Sequence, residues 1–282
     1  MQFHLPSAEI FVPDSLPAEI ALARTTHMAI SAHQDDIEIM AITPILECYQ
    51  QVDKWFTGVV VSDGRGSPRT GLYACYTDDE MRQVRFKEQR KAAIIGEYTA
   101  QVILDYPSKE IKDGSNRWPV EDLIGLLRAA HPRQVYTHNL ADKHDTHVSV
   151  ALRVISAIRS LPETERPEKL YGCEVWRDLD WMIDSEKVIL DCSPHENLQA
   201  ALLGVYDSQI TGGKRYDLAS MGRHRANATY FESHGVDAFQ GISYAMDLTP
   251  LILDPSREIA PFVEACIQRF SNEVADRLKR IS

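Results

Sequence analysis

The chain has 282 residues, 44% hydrophobic and 25% charged, enough apolar material for one sizeable α/β core spanning 1–282. Acidic residues outnumber basic ones 41 to 30, for a net charge of -11, which argues against a polyanion-tracking surface and against nucleic acid as a partner. No stretch reaches the roughly 18 apolar residues of a membrane span, and no secretory signal is read at the start. Five scattered cysteines without a C-x-x-C pair fit reduced thiols in a cytoplasmic protein better than a disulfide scaffold or zinc ribbon.

Residues 1–25 carry Pro6, Pro13 and Pro17 and are expected to form an irregular N-terminal arm with at most one short helix. Thr26–Ser31 reads as a strand, Ile37–Gln50 as a helix, and Trp55–Ser62 as a buried strand closed by Asp63-Gly64. A glycine- and proline-bearing stretch leads into a charged helix from Asp79 to Gly96, with Asp78 or Asp79 as its expected cap. Strands at Ala100–Leu104 and Gln134–Thr137 alternate with helices at Trp118–Ala130 and Asp145–Leu161. Four strand-then-helix units argue for a Rossmann-like, mostly parallel sheet with helices on both faces.

The remainder reads less regularly, as strands at 173–176 and 187–190, a helix over 196–206 and a terminal helix over 257–280. Between Ser208 and Tyr244 lie five of the fourteen glycines, and this segment is expected to be a long loop near the active site. There is no internal repeat.

Two clusters carry chemistry, and both follow expected strands. The first is His33-Gln34-Asp35-Asp36-Ile37-Glu38; the second runs from His138 to His147 and holds three of the ten histidines. In an open parallel sheet the loops at the carboxyl ends of strands line one crevice, so the two clusters should meet there. A catalytic zinc site takes three N/O ligands and leaves one position open. His33, one of the two aspartates and His147 would supply the set. The other aspartate could take a proton from the activated water, and His144 could stabilise an oxyanion or protonate a leaving group. The bland reading of either cluster alone is a turn or a helix cap; their joint placement favours the metal. His27, inside a strand, reads as a core histidine.

His33-Gln34-Asp35-Asp36 with Glu38, after an apolar strand and Ala32, resembles the A-H-P-D-D-x-E signature of the PIG-L/LmbE-like N-acetylglucosamine deacetylases, zinc enzymes with a Rossmann-like fold. His144-Asp145-Thr146-His147 resembles that family's H-x-x-H element, Val60 to Gly66 its T-D-G-x-x-G turn, Arg85 to Glu88 its R-x-x-E, and Ser208-Gln209 a late Ser-Gln pair. The likeness covers about residues 26 to 210. It implies zinc on His33, Asp36 and His147, Asp35 as general base, His144 as the cationic or acid group, and Arg85 as a substrate contact. Fe2+ or Co2+ would also suit such ligands. The implied reaction is removal of the N-acetyl group from an N-acetylglucosamine-type small molecule.

The departures bear on detail. Gln34 stands for proline, and Asp145-Thr146 for Pro-Asp, so either Asp145 or another group must orient His144. Arg65 replaces a commonly acidic residue. Lys214, Arg215, Tyr216, Arg223 and His224 lie in the glycine-rich segment, where His234 is the chosen candidate for an extra substrate contact. Two rival readings keep the scaffold: a phosphoesterase, encouraged by Arg65 and Arg85, and a non-catalytic sugar- or metal-binding module. A dinucleotide oxidoreductase lacks its G-x-G-x-x-G and a serine hydrolase its G-x-S-x-G. The sequence leaves the oligomeric state open, a homo-oligomer included.

Overall fold

The run His27–Ser31 is buried at every position, and its side chains divide by parity, Met28 and Ile30 entering one core and Ala29 the other. Val59 and Val61 likewise oppose Val60. Burial on both faces is why these strands read as continuous apolar runs rather than alternating ones.

In the computed structural model, which describes residues 1–282, the first half comprises β1 (Glu9–Phe11), α1 (Ala18–Ala23), β2 (His27–Ser31), α2 (Asp36–Met40), α3 (Ile42–Cys48), β3 (Phe56–Ser62), α4 (Asp78–Ile95), β4 (Ala100–Tyr106), α5 (Ser108–Lys112), α6 (Trp118–Ala130) and β5 (Gln134–His138). There follow α7 (Asp145–Arg159), β6 (Lys169–Cys173), β7 (Lys187–Asp191), α8 (Glu196–Gly204), α9 (Asp207–Ile210), α10 (Tyr216–Tyr230), β8 (Ile242–Asp247), α11 (Thr249–Leu253) and α12 (Ile259–Ile281). One eight-stranded sheet has the order β1-β4-β3-β2-β5-β6-β8-β7. The five strands β4, β3, β2, β5 and β6 are mutually parallel, while β1 pairs antiparallel with β4, and β8 with both β6 and β7. Side chains of α6 and α7 build the core on one face, and those of α2, α3, α4 and α8 the core on the other. The mostly parallel α/β architecture is the expected one.

The chain winds outward from β2 to β4 and then returns to place β5 on the other side of β2. That reversal makes the crevice beyond Ser31 and His138 the topological switch point.

The expected helix 37–50 is two helices, broken at Ala41 (φ -119, ψ 28). Pro44 explains the break, because its ring would clash with the carbonyl four residues back in a continuous helix but is tolerated in a new first turn. The cap of α4 is Thr77, not Asp78 or Asp79: Thr77 accepts from Glu80 N–H and its own N–H is held by the Glu80 carboxylate at 2.8 Å. The strand expected at 173–176 ends at Cys173, since the Trp176 N–H leaves the ladder for Asp142 at 3.1 Å. The segment 208–244 is no long loop. It holds α10, a helix of 15 residues, whose positions Ser220, His224 and Ala228 turn inward at four-residue spacing.

Candidate active site

After β2 the backbone turns through Asp35 at φ 92, a conformation that costs a non-glycine residue about 1–3 kcal/mol and persists only where surroundings enforce it. Three contacts do so here. The Asp35 carbonyl accepts from Ile39 N–H at 3.1 Å, opening α2. Arg85 donates to Asp35 Oδ2 at 2.8 Å and also to the Gln34 carbonyl. Gln34 in turn donates to the Ser62 carbonyl at 3.1 Å, and a Cβ on Gly64 (φ 72) would stand 2.6 Å from Gln34 Oε1. The tightness of that packing requires glycine at position 64.

The turn places Asp36 at the first position of α2, while α7 carries His147 to the same point from β5. His33 Nδ1 lies 3.1 Å from His147 Nε2 and 3.2 Å from Asp36 Oδ2, and His147 Nε2 lies 3.3 Å from Asp36 Oδ2. Three lone-pair-bearing atoms so close are the edges of a tetrahedral face: ligands about 2.0–2.1 Å from zinc stand about 3.3 Å apart. The donor set therefore fits a divalent ion. His138 also approaches Asp36, at 3.5 Å, but its Nε2 lone pair already accepts the Ala32 N–H at 2.8 Å, so it supports the β2 turn instead.

Burial favours neutral carboxyls, yet His147, the hydrogen bond from His33 and His138 outweigh it at Asp36 and hold its pKa far below the ordinary value. Asp35 goes the other way. Burial and the adjacent Asp36 raise it to about 6, against the opposing pull of Arg85 and His33. Adjacent carboxyls with oppositely displaced affinities are the arrangement expected of a ligand beside a base. Burial opposes protonation of His147, but Asp36 and Asp142 prevail and raise it. Burial, His147 and His33 all lower His144, leaving it a neutral ring near pH 7 rather than a cation.

His33, Asp35, Asp36, His144 and Arg85 line one cavity of about 410 Å³. Arg85 differs from its expected role as a substrate contact. Its side chain is 1% exposed and engaged by Asp35, Glu88 at 3.0 Å, the Gln34 carbonyl and Ser208 Oγ. His234 is a correction: it stands exposed in the turn after α10 and does not line the cavity. Arg65 is tied to Asp63 at 3.1 Å and Asp79 at 2.9 Å, so the cation that encouraged a phosphoesterase is committed elsewhere.

Sequence reasoning gave no role to Asp142, which holds the backbone of His144 and faces the His147 ring, while His144 Nδ1 has no protein partner. Asp142 accepts the His144 N–H at 3.0 Å and the Trp176 N–H, and faces His147 Nδ1 at 3.6 Å. Asp145 points to solvent from the first turn of α7. The available signal was an acidic residue just before the His-x-x-His pair. Lys214 and Tyr216, from the glycine-rich segment, also line the cavity.

These features define a doubly wound α/β protein with a metal-competent His-Asp-His cluster at its switch point. Residues 28–158 match the model of the PIG-L family, described as GlcNAc-PI de-N-acetylase. No curated protein matches the chain in sequence. Among solved structures, it is similar to the N,N'-diacetylchitobiose deacetylase of Pyrococcus horikoshii (18% identity, TM-score 0.59, covering 78% of this chain and 83% of that one). A deacetylase of teicoplanin biosynthesis aligns at 13% identity and TM-score 0.56, covering 78% of this chain and 97% of that one. The 4-carboxy-2-hydroxymuconate hydratase of Pseudomonas putida aligns at 15% and 0.59, covering 79% and 96%. Likeness at that level establishes the fold, which serves more than one reaction.

Proposed function

We propose that the protein is a metal-dependent hydrolase that removes the N-acetyl group from an N-acetylglucosamine-type sugar or glycoconjugate in the cytoplasm. The observation that carries this reading is the ligand triangle of His33, Asp36 and His147 with a second carboxylate, Asp35, beside it in the same cavity. These three residues would hold zinc, or Fe2+ or Co2+. A divalent ion held there supplies Lewis acidity toward an amide carbonyl and a water.

The chain's own residues do the rest. Asp35 Oδ2 is fixed by Arg85 and Oδ1 has no protein partner, so Oδ1 is the atom that takes a proton from water and returns it to the departing amine. Arg85 acts through Asp35, setting its direction and restraining its proton affinity. His144, neutral and held at its backbone by Asp142, donates a hydrogen bond to the oxyanion of the tetrahedral intermediate.

The test is acetate release from a panel of N-acetylglucosamine derivatives by protein loaded with zinc or stripped by chelator, with metal analysis alongside. Acetate from the loaded sample alone is the expected outcome. Bound metal with no acetate from any sugar overturns the deacetylase reading, and failure to bind metal overturns the ligand assignment.

A further inference from the structure

Behind the catalytic cavity lies a second chamber of about 240 Å³. The two share Ile39, Val175, Trp176, Lys214 and Tyr216 as lining, so they are adjoining compartments of one cleft. The indole of Trp176 and the ring of Tyr216 meet edge to face, with centroids 6.0 Å apart, at the passage between them.

The chamber is positive in a chain of net charge -11. Lys214 holds its ammonium 5.1 Å from the Trp176 ring, with no carboxylate paired to it. Arg223 donates to the Val175 carbonyl and likewise has no ion pair. Glu174 is the one acidic residue in the lining, and its oxygens already accept the N–H groups of Leu179 at 2.7 Å and Tyr244 at 3.0 Å and the amide of Asn227. His224, on the inner side of α10, is 4% exposed, and its Nδ1 has no hydrogen-bond partner. A buried imidazole nitrogen without a partner costs about 1–3 kcal/mol unless a ligand completes it.

We propose that this chamber binds an anionic group, a phosphate or a carboxylate, carried by the substrate on the part joined to its acetamido sugar. Lys214 and Arg223 supply the charge, His224 a hydrogen bond, and Trp176 with Tyr216 the apolar edge of the passage. The inference rests on the deacetylase reading of the adjoining cavity.

The experiment compares kcat/KM for the methyl glycoside of N-acetylglucosamine, N-acetylglucosamine 1-phosphate and a glycoside bearing a carboxylate. Wild-type protein should favour at least one anionic substrate over the neutral one by about a hundredfold, the scale of two charge-assisted hydrogen bonds. Lys214→Met, at an exposed position, and His224→Gln should each reduce that ratio at least about tenfold. The phosphate and carboxylate arms show which anion is meant. Equal kcat/KM for neutral and anionic sugars, or a ratio unmoved in both variants, overturns the proposal. If no sugar releases acetate, the deacetylase reading fails by itself; calorimetry of glucose 1-phosphate binding then still tests the chamber, with no binding or variant-insensitive binding overturning it.

An independent observation concerns α12. Cys266 is its one buried residue, and Leu278 and Ile281 are 62% and 75% exposed. A projecting helix of some 15 residues is marginal in water without a partner. Its apolar row Ile267, Phe270, Val274, Leu278 and Ile281 is spaced 3, 4, 4 and 3, the same read in either direction. We infer that a second copy of this chain covers it in an antiparallel, two-fold pairing centred on Val274, with Ile267 opposite Ile281 and Phe270 opposite Leu278. Glu273 and Arg277 pair with each other along the helix beside Val274; an in-register parallel pairing would set Glu273 against Glu273 and Arg277 against Arg277, which the antiparallel register avoids.

Sedimentation of the full chain should show a dimer that Leu278→Glu converts to monomer. On a Cys75→Ser background, Ile267→Cys and Ile281→Cys proteins should cross-link when mixed. A wild-type monomer at about 100 μM, or cross-linking of Ile267→Cys with itself alone, overturns the pairing.

Discussion

The two walls of the catalytic cavity are built on opposite principles. The wall from β2, α2, β5 and α7 is sealed and mutually restrained: Asp36 and His147 are buried, Asp35 is clamped by Arg85, and His138 and Asp142 hold the turns from behind. The facing wall, from the stretch before α10, presents Lys214 at the surface with no carboxylate partner and a chamber behind it with an unpartnered imidazole. Chemistry needs donors fixed to tenths of an ångström, which strand ends supply. Choosing among substrates needs surface that can differ without disturbing those donors, and an appended helix supplies that.

The sharpest way to break this contrast is at the ligand triangle. His147→Ala should abolish stoichiometric metal and reduce acetate release by roughly a thousandfold or more. Asp35→Asn should keep the metal, measured by elemental analysis, and reduce kcat/KM by about 10²–10⁴-fold. If Asp35→Asn instead loses the metal with turnover per bound ion unchanged, the two aspartates have been given each other's roles.

Arg85→Met tests whether the rigid wall is held by more than its ligands. It leaves Asp35 and Glu88 buried without their cation, a change worth about 3–5 kcal/mol against folding. Because Arg85 opposes the rise of the Asp35 pKa, its loss should also carry the acid limb of the kcat/KM profile to higher pH. Arg85→Lys should restore part of the stability while keeping a displaced limb, since lysine cannot reach Asp35 and the Gln34 carbonyl from one planar group. An unshifted limb in both variants would make Arg85 purely structural.

The rigid wall was largely legible in the sequence, and the other was not, for physical reasons. His33, Asp35, Asp36 and His147 sit where apolar runs of strand length stop, and the switch-point rule then brings the two ends together. His138 and Asp142 belong to the same run but act on backbone N–H groups, which leave no mark in residue pattern. Arg85 was read as a substrate contact because a helix pattern shows only that it shares a face with Glu88; that the face is inside depends on Ser208, some 120 residues later. The segment 208–244 was misjudged because glycines dominate its ends, while the inward positions Ser220, His224 and Ala228 give α10 little apolar periodicity. His234, chosen there as a site residue, is exposed, and the buried histidine of the same segment is His224.

The smallest expected effect belongs to His224 and compares the walls through stability rather than turnover. Burial, with Arg223 second, lowers its pKa to about 4 from an ordinary value of 6.5. Between those values the unfolded chain takes up a proton that the folded chain refuses, so stability falls as pH drops through the window. The difference is about 2 kcal/mol at pH 5 and close to nothing at pH 7. His224→Gln keeps a hydrogen-bonding side chain without titrating, so urea unfolding at the two pH values should show the variant losing less on acidification than the wild type by about that amount. An anion seated in the chamber would favour protonated His224 and reduce the same loss in the wild type, so added phosphate should narrow the gap between the two proteins. A gap present without phosphate and untouched by it would leave His224 a buried histidine of α10 and take the anion out of its chamber.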